Sequence, residues 1–164
     1  MGVFYTDPAN SFQKHAFWLA FQGSQALFLA PTFFFAPAII GRAALYTVGL
    51  VGGLSYVSAT AKTDQYLYLG GPLLGGLLVV VLSSLAPMVL PVTAVRSLAL
   101  TEMVSVYGGL AIFGGFVLYD TQKVMHHARM GVRDPAAESI GLELDIINIF
   151  WRLLFILGGS NRRK

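Results

Sequence analysis

Charged residues are absent from four long stretches of the chain: Ala16–Gly41, Ala43–Ala61, Gln65–Val95 and Met103–Tyr119. Within them apolar side chains run on without alternation, as in "GGLLVVVLSSLA". Neither a half-buried strand nor the in/out pattern of a membrane barrel reads that way. A helix needs about 20 predominantly apolar residues to cross the hydrocarbon core. The pattern predicts five spans, roughly 16–39, 43–59, 66–85, 98–124 and 137–157. Pro31 and Pro37 fall inside the first and predict a kink or an early end, because proline removes a helical donor and clashes with the preceding turn. Pro87 and Pro91 are expected to close the third span. The fold class is therefore all-α, a polytopic transmembrane helical bundle. Residues 1–15 form a polar N-terminal segment, 16–158 the helical domain and 159–164 a basic tail.

Composition agrees with this division. The chain has 164 residues, 55% hydrophobic and 12% charged, with a mean hydropathy of +0.67. A soluble domain carries about a quarter charged residues. Cysteine is absent, which excludes disulfides, thiolate chemistry and cysteine-bound metals. The tail "NRRK" reads as a topology signal or a contact with anionic lipid, and no nucleic-acid partner is expected. Basic residues divide evenly between the two sides of the five-span topology, so the positive-inside rule assigns no orientation. Gly2 and Thr6 match the short N-myristoylation pattern, which many chains match by chance. Small residues recur four apart at Gly49 and Gly53, Gly71 and Gly75, Ser105 and Gly109, Ala111 and Gly115. Such pairs let helix backbones approach closely in lipid and predict tight packing.

Two carboxylates interrupt the last apolar stretches: Asp120 in "GGFVLYDTQKVM" and Asp145 in "LELDIINIFW". With the fourth span ending near His126 and the fifth beginning near Ala137, they lie about 9 Å and about 12 Å inside the facing ends of two spans joined by "ARMGVRDP". A short linker makes those spans antiparallel neighbours, so the carboxylates reach similar depth. An ionised aspartate costs about 2.5 to 3.5 kcal/mol at the centre of a membrane helix. Two at close range disfavour joint ionisation, and the pair is expected to share a proton and titrate as a unit. Such a pair can sense pH and can trade a proton for a cation. The plainer alternative is structural. Asp120 and Lys123 could pair on the helix surface, and Asp145, Asn148 and Arg152 share one face, so Asn148 could simply hold Asp145. Intramembrane carboxylates favour the functional reading. His127 shares the Asp120 face at i+7 and is a candidate contributor to pH sensing, while His126 and Glu143 read as interfacial. Calcium takes six to eight oxygens; two aspartates, Asn148 and backbone carbonyls offer a weak site, suited to transient passage.

"LYDTQKV" followed by "LELDIINIFWR" resembles the C-terminal signature of the transmembrane Bax inhibitor motif family. The resemblance extends through "GRAALYTVGLVGGLSYVS", "LYLGGPLLGGLLVVVLSSLAPMVLP" and "GGSNRRK", and favours the family's mitochondrial branch. It implies a bundle wrapped around a central C-terminal helix. It also implies a pH-sensitive calcium channel or calcium/proton antiporter, gated by a proton-sharing pair that corresponds to Asp120 and Asp145. The expected setting is the mitochondrial inner membrane, with links to cristae organisation and apoptosis control. Calcium ions, protons, the lipid bilayer and other inner-membrane proteins are the implied partners, with no resident cofactor. The family core has seven helices, and its first two are expected to lie outside this sequence. With them goes an arginine that contacts the pair in family structures; Arg42 is not its equivalent.

Two other readings compete. A non-transporting scaffold for cristae and cytochrome c retention would use the glycine faces for helix contacts. An intramembrane aspartyl protease would also share a proton between aspartates, and Tyr119–Asp120 fits its first motif. Asp145, however, follows "GLEL" where that chemistry has glycine-x-glycine, and no later helix carries the proline–alanine–leucine motif. The reading is of a transport protein, not an enzyme.

Overall fold

The computed structural model describes residues 11–89, 95–131 and 135–161, and among these it is built from helices without a strand. Helix α1 (Ser11–Leu29) leads through a 3₁₀ turn (Ala30–Phe34) into α2 (Pro37–Thr60). A loop ending in a second 3₁₀ turn (Leu67–Leu69) connects to α3 (Gly70–Val89). The next rod starts as α4 (Val95–Met103), widens into a π turn (Val104–Gly108) and continues as α5 (Gly109–Arg129). Helix α6 (Pro135–Asn161) completes the bundle.

Side-chain contacts give the directions. Ser58 and Gln122 tie the end of α2 to α5 in parallel, through Leu118 O and Lys62 O. Against α5, α3 is antiparallel, with Gly70 beside Tyr119 and Ser84 on Ser105. Trp18 meets Ser139, Gln22 meets Glu143 and Phe28 meets Trp151, so α1 runs parallel to α6. At the centre Phe113, Val117 and Ile149 are buried against Val51, Leu54, Leu77, Leu142 and Leu153. Helix α5 therefore shares the middle with the C-terminal helix.

Among the described residues three helical stretches are long and apolar enough to cross a membrane: Pro37–Thr60, Leu67–Met88 and Arg96–Arg129. On α3, Leu74, Leu78, Val81, Leu82 and Leu85 are all exposed. In water such a patch would be an aggregation site; in a bilayer it is the lipid-facing side. The chain is an integral membrane protein. The predicted first and fifth spans, α1 and α6, are helical but more polar, because Gln22, Glu138, Glu143, Asp145 and Arg152 serve the contacts between helices.

The boundaries differ from expectation where proline acts. The stretch 16–39 is not one span: α1 stops at Leu29, and α2 opens at Pro37, six residues before its predicted start. Pro37 takes the first helical position, where its missing N–H is an orphan in any case. Pro87 lies inside α3, near its end, and does not close it. Pro91, the acylation pattern at Gly2 and Thr6, and residues 162–164 lie outside the described residues. The small-residue pairs divide. A Cβ on Gly49, Gly53, Gly71 or Gly75 would meet open space, whereas Gly115 lies against Leu73 and Gly109 against Arg152.

Candidate functional site

The string Tyr119–Asp120–Thr121–Gln122 advances by about 100° per residue on α5, and its members touch four different parts of the bundle. Tyr119 lies on Gly70 of α3, where the absent side chain admits the ring. Thr121 Oγ1 donates to Ser55 Oγ of α2 at 3.3 Å. Gln122 is 4% exposed and clamps the α2–α3 loop. Its Oε1 accepts from Tyr66 N at 2.5 Å, and its Nε2 donates to Lys62 O at 3.1 Å and Ser58 O at 3.4 Å. The remaining direction points Asp120 at α6.

There Asp120 and Asp145 come within hydrogen-bond reach of each other. Gly141, one turn before Asp145, makes the room: a Cβ on it would stand 2.6 Å from Asp120 Oδ2. Asp145 is 5% exposed, and among the described residues its buried Oδ2 has no hydrogen-bond partner. Asp120 lies nine residues inside Arg129, or about 14 Å. Asp145 lies ten residues inside Pro135, or about 15 Å. Both are deeper than the predicted boundaries gave, since each helix runs further, and the depths still match.

The pair is one step of a regular seam. On α5 His127, Asp120 and Phe113 are seven apart; on α6 so are Glu138, Asp145 and Arg152. The antiparallel register sets each against its counterpart. His127 Nδ1 bonds Glu138 Oε1, the aspartates meet, and the Arg152 guanidinium lies over the Phe113 ring, 4.5 Å from its centroid. Glu138 and Lys123 both act on Asp120 electrostatically. No Asp120–Lys123 ion pair forms among the described residues.

Two of the supporting residues stand elsewhere than expected. Asn148 does not hold Asp145: its Nδ2 donates to Leu144 O, and its Oδ1 accepts from Arg152 Nη1 at 3.1 Å. His127 occupies the predicted face, but Glu138 engages its ring, a full step from the aspartates. Glu143 accepts from Gln22 Nε2 of α1 at 2.7 Å. His126 bonds Asp64 at 3.0 Å, beside the left-handed backbone (φ 60°) of the α2–α3 loop. Glu138, Gln122 and Gly141 escaped the sequence reading, although the seven-residue spacing of Glu138, Asp145 and Arg152 was there to be seen.

Chemically, two carboxyl groups this close can share one proton. Without it they offer up to four oxygens to a cation. Among the described residues no group of three or more histidine, aspartate or glutamate side chains is placed to hold a metal ion. Further oxygens for calcium, which needs six to eight, would come from carbonyls or water.

A family model described as "Inhibitor of apoptosis-promoting Bax1" matches residues 1–163. The chain is 40% identical to growth hormone-inducible transmembrane protein of Rattus norvegicus over 158 residues, covering 92% of this chain and 45% of that one. It is 34% identical to Bax inhibitor 1 of Drosophila melanogaster over 128 residues (78% and 50%). Against Bax inhibitor 1 of Homo sapiens the identity is 32% over 128 residues (78% and 52%). The chain thus spans about half the length of the relatives it matches. No solved structure matches it.

Proposed function

Because the chain belongs to the Bax inhibitor family, we propose that it carries calcium across its membrane, as a pH-sensitive channel or in exchange for protons, and has no enzymatic role. The observation that carries this reading is the carboxyl pair. Asp120 and Asp145 come from adjacent helices, meet at matched depth, and leave Asp145 Oδ2 buried without a partner. A buried acceptor left unmatched costs about 1 to 3 kcal/mol, a cost that a cation arriving at the site removes. Acid fills both carboxyls with protons and expels the cation; alkali removes the shared proton and readies the site. Transport through it therefore falls as pH falls. The resemblance to the mitochondrial branch supports the inner membrane as its location and a part in cristae organisation and apoptosis control.

Calcium flux into proteoliposomes across pH 5 to 8 tests the proposal, comparing the chain with Asp120→Asn and Asp145→Asn. Each variant is expected to lose the pH dependence, and the double variant nearly all flux. Pairwise neutralisation that leaves a pH-dependent flux intact would reject the aspartates as the site. A second reading, a scaffold that binds other inner-membrane helices, is favoured by one observation: Gly41, Gly49 and Gly53 of α2 face open space. A scaffold would keep its partners in the double Asp→Asn variant.

A further inference from the structure

One step along the seam from the aspartates stands a cation without an acid. A guanidinium keeps its charge at physiological pH, and among the described residues no carboxylate bonds Arg152. Its partners are carbonyls, an amide oxygen and a ring. Nη1 donates to Asn148 O and Oδ1, Nε donates to Ser105 O at 3.2 Å, and the plane rests over Phe113. Ser105 belongs to the π turn, whose i→i+5 bonding departs from the α ladder. Gly109 clears the space, because a Cβ there would overlap the guanidinium. The arginine is thus held in place from both helices while its charge stays uncompensated at close range.

We propose that Arg152 is the cation barrier of the bundle, closing the α5–α6 seam to metal ions beyond the aspartate pair, so that a cation reaches the pair past the His127–Glu138 bond. The inference rests on the reading of the aspartates as a cation site and adds a specificity-determining residue to it. A cation that has reached Asp120 and Asp145 meets, two helical turns or about 10 Å further on, a like charge whose fork cannot swing away without stranding Ser105 O and Asn148 Oδ1. The route to the pair is therefore one-sided, and release past Arg152 requires its displacement.

The absence of native cysteine permits a direct test. A thiol is introduced by Asp120→Cys in the full chain, in vesicles of uniform orientation, with a cationic methanethiosulfonate on the side where α4 begins. With Arg152 present, labelling is expected to be at least tenfold slower than with Arg152→Gln. Arg152→Lys, which keeps the charge and loses the fork, is expected to stay slow. A neutral reagent of similar size should label all three at comparable rates. Labelling from the opposite side reports an intact fold in each variant. Equal cationic rates for the three chains would overturn the barrier, as would an Arg152→Gln variant that stays unlabelled, or exclusion of the neutral reagent too. Calcium flux is scored separately: one-sided access without flux rejects transport and retains the barrier, whereas flux with equal access from both sides does the reverse.

Discussion

The two ends of the bundle are held by different chemistry. At the end where α5 stops, directional polar contacts dominate. Gln122 bonds three backbone groups of the α2–α3 region, Ser58 bonds Leu118 O, and His126 and His127 each take a carboxylate on a different neighbour. At the other end ring edges and one cation do the joining: Phe35 on Phe155, Arg152 on Phe113 and Ser105 O, with Ser84 on Ser105. Hydrogen bonds fix depth and rotation, whereas aromatic and dispersion contacts tolerate sliding. The first end therefore sets where Asp120 points. The second rests on fewer such bonds, which converge on Ser105 from Ser84 and Arg152.

Replacing Gln122 with leucine should test this asymmetry most severely. It takes a bond from Tyr66 N, Ser58 O and Lys62 O, of which Lys62 O keeps Gln65 N, and the expected loss is on the order of 3 kcal/mol, read as a lowered midpoint of detergent-induced unfolding. An unchanged midpoint would mean that the polar clamp does not set the geometry. Paired glycine substitutions sharpen the contrast at intermediate size. Gly141→Ala pushes on Asp120 and Gly109→Ala pushes on Arg152, each an overpacking worth about 1 to 2 kcal/mol. They should part in function: Gly141→Ala shifts the pH profile of calcium flux, while Gly109→Ala leaves that profile in place. The smallest effect is expected from His126→Gln. Its partner Asp64 is well exposed, so the pair contributes under about 1 kcal/mol. The same unfolding midpoint should therefore move less than in either glycine variant.

Much of this arrangement is legible in the sequence, for particular reasons. Charge-free runs mark α2, α3 and the α4–α5 rod, because a bilayer tolerates few charges. Pro31 and Pro37 announce a break, but not that it removes seven residues from the α-helices. The carboxyl pair is readable because two aspartates at similar distance from a short turn must come level. Its neighbours are not, because a face on a helical wheel does not say which partner arrives there. His127 lies on the right face, yet Glu138 reaches it first; Asn148 lies on the Asp145 face, yet Arg152 engages its amide oxygen. The π turn leaves no mark in "VSVYG". What meets it is tertiary: Arg152 Nε bonds Ser105 O and Ser84 bonds the Ser105 hydroxyl.

The seven-residue step along the seam has a reach beyond any one of its contacts. Loops ordinarily lengthen or shorten with little penalty. A helix that carries rungs does not: one residue inserted into α6 between Glu138 and Asp145 would turn Asp145 and Arg152 by about 100° while Glu138 stayed on His127. The residues between the rungs thus act as the caliper of the site, holding each rung level with its counterpart on α5.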